Sequence, residues 1–324
     1  RYIMHNKNSP LKEHIDDFIQ FKKASGYKAL HLQKILKRFC KCAEELDPNV
    51  STVTKEAFEK WAYLNPEEAV TNQYYRINAV RQLSVYLNNH EIIAYVAPKS
   101  KCPESSFVPY IFSDEELSKF FIACDNTRSP HLKRAHIVSL VFRMIYCCGL
   151  RASEATGLTV KDVDLIQGTI FIRGTKFEKE RLLPVHDDLL KRMKKYSDDV
   201  LTFAGQDSPF FPNQQGNSYS TGGLYTIFRD RIQAAGISHG GKGVGPRLHD
   251  LRHTFAVHTL RKAVKNGEDV NSMLKYLSVY LGHTSVNASQ NYLRLTADMY
   301  PNIVCHLEEQ FDVLPDVEVA DETN

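Results

Sequence analysis

The chain has 324 residues, with 41 Lys and Arg against 38 Asp and Glu, and 43% of its residues are hydrophobic. These are ordinary proportions for a folded chain of mainly polar surface, and the length suggests two domains, each able to bury a core. The longest apolar run, Ile137 to Leu150, is broken by Arg143 and too short to span a bilayer. No signal peptide is visible, so a cytoplasmic protein with no membrane partner is expected. Seven cysteines, an odd number with no C-x-x-C, argue against a disulfide framework or a zinc site.

Ser9-Pro10 is a good helix start, and Leu11, Ile15, Phe18 and Phe21 recur at helical spacing up to Gly26. A second helix, about Ala29 to Leu46, turns Leu30, Leu32, Ile35, Leu36 and Phe39 inward. Its other face carries Lys34, Lys37, Arg38 and Lys41, four cations within eight residues. A third helix follows a Thr54 cap. A fourth runs from near Thr71 to Asn89, with Arg76 and Arg81 outside its apolar stripe. Residues 1–97 thus form a small all-α domain. Residues 98–110 contain three prolines in the stretch from Ala97 to Pro109 and read as a linker.

Past the linker, Ser113-Asp-Glu-Glu opens a helix with acid in its first turn. The apolar run ends at Gly149, which places Arg151 at the start of the next helix with Glu154 one turn on. Thr169 to Arg173 and Arg181 to Val185 read as a β-hairpin, with Lys176 and Lys179 near its tip. His239 to Gly245 is glycine-rich, but Lys242 is followed by Gly, so it is no phosphate-binding P-loop. Residues 1–100 carry 15 basic and 11 acidic residues, whereas 301–324 carry seven acidic and no basic ones. A basic body with an acidic tail suits a nucleic-acid binder whose tail stays off the DNA.

The stretch from Arg247 to Arg294 carries most of the chemistry. It opens R-L-H-D-L-R-H-T-F-A and closes L-G-H-T-S-V-N-A-S-Q-N-Y-L-R. His249 and Arg252 are three residues apart on a helix, and Tyr292 follows His283 by nine residues. Arg grips two phosphate oxygens at once, His donates hydrogen bonds or moves protons, and a phenol can attack phosphorus. His249 and His253 also have the i, i+4 spacing of a zinc pair, but Asp250 stands where the H-E-x-x-H pattern needs Glu.

In combination, H-D-L-R-H-T-F-A, then L-G-H with a Tyr nine residues after that His, resemble the tyrosine recombinase (phage integrase) family. C-G-L-R-A-S-E supplies the upstream Arg151, and G-T-K-F-E-K-E-R-L-L-P supplies Lys176. The resemblance implies a mainly α fold: an N-terminal helical core-binding domain, then a mixed α catalytic domain over residues 111–300 with a small antiparallel β-sheet. It implies Arg151, Lys176, His249, Arg252, His283 and the nucleophile Tyr292 as catalytic residues, with Glu154 in support and no metal or cofactor. In this reading Lys34, Lys37, Arg38, Lys41, Arg76, Arg81, Lys179 and Arg247 are DNA-binding candidates, and His249 is the proton acceptor near Tyr292. The partners implied are double-stranded DNA and three further copies of the chain in a tetramer. The L-S-V-Y-L-G-H variant points to a transposon or integrative-element integrase, and accessory DNA-bending or directionality factors fit that setting.

A type IB topoisomerase would share the chemistry and relax supercoils as a monomer. A metal-dependent nuclease or a silent DNA-binding protein fits six motif positions less well. Beyond Pro301, Val304, Leu307, Phe311 and Leu314 form one apolar stripe, and by the resemblance this C-terminal helix packs in trans on a neighbouring subunit.

Overall fold

The computed structural model describes residues 9–27, 29–63, 66, 68–103, 108–173, 180–241, 245–282, 292 and 295–296. Lys176, Lys179, His283 and the tail 301–324 lie outside these, so the readings that rest on them carry no geometry. Two compact units divide the chain, Arg1–Phe107 and Val108–Asn324. Among the described residues no helix is long and apolar enough to cross a membrane.

Among the described residues the first unit holds four helices, α1 (Pro10–Ala24), α2 (Leu30–Glu44), α3 (Lys55–Ala62) and α4 (Val70–Asn88). Pro10 starts α1, and the Thr54 hydroxyl accepts the Ala57 amide to start α3. Leu11, Ile15, Phe18, Leu36, Phe39, Trp61, Val80 and Leu83 fill the core. Two positions expected inside are outside: Phe21 is 52% exposed and Leu30 68%. Leu11, Ile15 and Phe18 are buried as expected, and Ile19, next to Phe18, joins them on the face that packs α2 and α4.

The second unit holds the remaining helices and the sheet. A capping box between Ser113 and Glu116 starts α5 (Asp114–Asp125), as the S-D-E-E pattern predicts. The helix α6 (Leu132–Cys147) is the spine of the core, with Val138, Val141, Phe142 and Ile145 buried against α5, α8 (Asp187–Val200) and α10 (Asp250–Lys265). The strands β1 (Val163–Asp164), β2 (Thr169–Ile172) and β3 (Arg181–Pro184) pair antiparallel in that order, with Ile170 opposite Leu183. Short α7 (Ala152–Gly157) precedes the sheet, α9 (Thr221–Ala234) follows α8, and α11 (Val270–Leu281) follows α10.

Gly149 is the pivot of this unit. It ends α6 in a left-handed conformation (φ 58°) that favours glycine, and a β-carbon there would lie 2.7 Å from both Phe255 and Leu281. The close approach brings the C-terminal end of α6 onto α10 and α11. Arg151 begins α7 two residues later, so three segments far apart in sequence meet at one place.

Candidate active site

Arg252 projects from the first turn of α10 and is 1% exposed. Its guanidinium donates to the carbonyls of Gly149 and Leu281, each at 2.6 Å. Burial, and then the charge of Arg151, lower its pKa to about 10, so it remains a cation at neutral pH. Arg151 donates to the carbonyl of Gly282 at 3.1 Å and to Glu154 at 2.6 Å. The carbonyl ends of α6 and α11 thus hold both arginines, a favourable place for cations.

Glu154 is the counterion of the whole group. Its carboxylate accepts two bonds from Arg181 (3.0 and 2.7 Å), one from the Arg151 side chain and one from the Arg151 amide at 2.9 Å. Arg252 approaches within 3.9 Å. Burial alone would raise this carboxyl's pKa; the hydrogen bonds from Arg181 and Arg151 and the charge of Arg181 overcome that and hold it below its ordinary value. Three guanidiniums around one carboxylate leave a net positive cluster, the charge a phosphate diester requires. Sequence reading passed over Arg181. It lies 27 residues from Glu154 and looked like one charge in a hairpin strand, yet it is bidentate to Glu154 and crowds Gly282, where a β-carbon would lie 3.1 Å from its Nη1.

Gly282 closes α11 with φ 65°. Tyr292 returns to the cluster. It is 3% exposed, packed with Leu295 among Val257, Leu260 and Leu277, and its carbonyl accepts the Thr296 hydroxyl at 2.7 Å in a helical turn. Burial raises the phenol's pKa, and the charges of Arg252 and Arg151 recover only part of that rise.

The two imidazoles of α10 occupy different positions. His249, at the N-cap, is exposed and lies beside the arginines. Its pKa falls to about 4 through loss of hydration against the packed protein and through the charges of Arg252 and Arg151. His249 and Arg252 do not share one environment, the imidazole being open and the guanidinium buried. Nor is His249 the ring bonded to the tyrosine. His253 holds that position, with Nδ1 3.1 Å from the Tyr292 hydroxyl, while His249 stands edge-on to His253 at 4.8 Å. His253 lies one helical turn beyond His249 on the same face, and it is the less exposed ring of the pair that meets the buried phenol. No group of three or more His, Cys, Asp or Glu that could hold a metal occurs among the described residues.

The DNA-binding candidates also separate. Lys34, Lys37, Arg38 and Lys41 are exposed along α2. Arg76 is instead tied into its own unit. It donates to both Glu68 oxygens (2.9 and 2.6 Å) and to the Tyr63 carbonyl, and lies over the Trp61 ring at 4.9 Å. Arg81 donates to the Ala97 carbonyl at 3.0 Å. Both were read as outward cations, but loop acceptors claim them at distances the helical pattern does not encode. Arg247 is half-buried, and its amide donates to Asp250 at 2.7 Å.

Against this geometry the comparisons with known proteins are specific. The phage integrase family profile matches residues 111–299, more than half of the chain. The chain belongs to the phage integrase family. Within this family of tyrosine recombinases, it is 28% identical over 326 residues to the Sinorhizobium fredii protein y4rB, named as an integrase/recombinase, covering 94% of this chain and 99% of that one. It is 30% identical over 231 residues to the tyrosine recombinase XerC of Oceanobacillus iheyensis, covering 70% of this chain and 66% of that one. Among solved structures, the XerH site-specific recombinase in its post-cleavage complex with difH superposes with a TM-score of 0.64 at 19% identity, over 96% of this chain and 98% of that one. The Tn1549 transposon integrase in complex with circular-intermediate DNA gives 0.59 at 16%, over 88% and 95%. The tyrosine recombinase fold, mainly helical with one small antiparallel sheet, is therefore the fold of this chain.

Proposed function

We propose that this phage integrase family member cuts and rejoins DNA at specific sites, with Tyr292 as the nucleophile. The observation that carries this reading is the convergence of Tyr292, Arg151 and Arg252 on one cationic cluster built from α7, α10 and the end of α11. The Tyr292 oxygen attacks a backbone phosphorus. The bond from phosphorus to the 5′-oxygen breaks, leaving a 3′-phosphotyrosine and a free 5′-hydroxyl. Attack by a 5′-hydroxyl from a partner strand reverses the step, so the phosphodiester energy is retained and neither ATP nor metal is consumed. Arg151 and Arg252 neutralise the non-bridging oxygens as charge builds up; a preorganised donor of this kind is typically worth about two to three powers of ten in rate. Lys176 protonates the leaving 5′-oxygen, His283 and exposed His249 hydrogen-bond the phosphate, and Glu154 keeps the guanidiniums in place.

Double-stranded DNA is the partner this reading requires. The named complexes of XerH with difH, and of the Tn1549 integrase with circular-intermediate DNA, support it. The exposed row Lys34, Lys37, Arg38 and Lys41 supplies phosphate contacts. We extend the reading to a tetramer on two duplexes, in which the apolar stripe Val304 to Leu314 packs on a neighbouring subunit, and to an element-borne integrase. A topoisomerase reading is less favoured, because relaxation needs no partner duplex and the family match is to integrases.

The test is to incubate the protein with element-end DNA and denature it. A covalent protein–DNA adduct mapping to Tyr292 is expected, formed equally in chelator. Tyr292→Phe should bind the same DNA and form none; an adduct in that variant would assign the nucleophile elsewhere.

A further inference from the structure

We infer that His253, which is not one of the six positions of the motif set, is the base that takes the proton from Tyr292. The inference rests on the reading of Tyr292 as the nucleophile and adds the group that activates it. The phenol is 3% exposed and its pKa lies above the ordinary value, so at neutral pH the hydroxyl keeps its proton and attack needs an acceptor in contact with the oxygen. His253 Nδ1 is 3.1 Å from that oxygen, within the reach of a general base, and the two rings lie 5.6 Å apart at 52°. With the ring proton on Nε2, Nδ1 presents its lone pair to the hydroxyl.

Adjacency on α10 explains how one turn of helix serves both reacting partners. Arg252 points at the carbonyls of Gly149 and Leu281 beside Arg151 and Glu154, where the phosphate charge is met. His253, the next residue, points at the phenol. His249 stands at the open edge of the same cluster, edge-on to His253, and is left for the phosphate. In the step, the Tyr292 O–H bond breaks and its proton passes to Nδ1, making His253 an imidazolium. The oxygen's electron pair forms the bond to phosphorus, and the 5′-oxygen leaves with a proton from Lys176. When a 5′-hydroxyl attacks in return, its proton passes to the now neutral Lys176, the phosphorus–phenol oxygen bond breaks, and His253 gives its proton back to the departing phenol oxygen.

The test uses the full chain and element-end DNA. His253→Asn keeps a polar atom near the place of Nδ1 but cannot accept a proton. Cleavage should fall about a hundredfold to ten-thousandfold, with DNA affinity and melting temperature unchanged. Replacing Tyr292 with 3,5-difluorotyrosine, whose phenol ionises closer to neutrality, should then shrink the deficit of His253→Asn to less than about tenfold, because the base is needed less. The same replacement should leave the deficit of His249→Gln untouched. His253→Gln provides a second variant if the asparagine form does not fold. Cleavage by His253→Asn at the wild-type rate, or a deficit that fluorination does not reduce, overturns the inference. Absence of a wild-type adduct at Tyr292 would instead overturn the nucleophile reading, so the two failures are separable.

Discussion

Replacing Glu154 with Gln tests whether one carboxylate holds the cationic cluster together. The side chains of Glu154 and Arg181 are only 6% and 10% exposed, so solvent screens little of their attraction. Gln keeps the shape and one acceptor but leaves Arg151, Arg181 and Arg252 facing one another without a counterion. Breaking a buried pair from one side costs about 3 kcal/mol or more. For a unit of roughly 200 residues each kcal/mol moves the melting temperature by about 2–4 °C, so the transition of the larger unit should fall by about 6–12 °C at pH 7. The pH dependence follows from the lowered pKa of Glu154. A carboxyl whose folded pKa lies below its unfolded value, about 4.3, stabilises the fold above that value and ceases to do so as the pH falls through the folded pKa. The gap between wild type and Glu154→Gln should therefore be full at pH 7 and begin to close below about pH 4, as the pH falls toward the folded pKa. Calorimetry at both pH values measures it. A gap under about 2 °C at pH 7, or one that persists undiminished in acid, would refute the argument. The double variant Glu154→Gln, Arg181→Gln should lose less than the sum of its parts, since the second change removes a charge the first left unpaired.

Two further outcomes are expected. Lys176→Ala should cleave slowly, and substrates with sulfur in place of the bridging 5′-oxygen, which leaves without protonation, should restore much of the rate. Rescue of His249→Ala by sulfur, with none for Lys176→Ala, would overturn the assignment of the acid to Lys176. In the N-terminal unit, Lys37→Ala with Lys41→Ala should reduce the slope of log affinity against log salt by about 0.9 for each DNA phosphate that is no longer neutralised. Arg76→Ala should leave that slope unchanged and lower the melting temperature of the unit instead, because its guanidinium already serves Glu68, Tyr63 and Trp61. A salt slope that changes with Arg76 and not with the lysines would reverse the assignment.

Local chemistry made much of this molecule legible in one dimension. The Ser113 capping box, the Thr54 cap, the Gly149 stop and the alternating hairpin around Ile170 and Leu183 each rest on residues within a few positions of one another, and the structure has all four. The family resemblance carried by the motifs also named Arg151, Arg252 and Tyr292 as a set before any geometry joined them. Packing across the fold decided the rest. Helical periodicity allowed either Phe21 or Ile19 to face inward on α1, and the packing of α2 and α4 chose Ile19. The same pattern could not tell that Arg76 and Arg81 end on loop acceptors, that Arg181 closes on Glu154, or that His253 rather than His249 meets the phenol. A charge in a sequence carries no record of its partner. That pairing is fixed only when burial removes water and leaves each polar group the nearest acceptor or donor the packed elements provide.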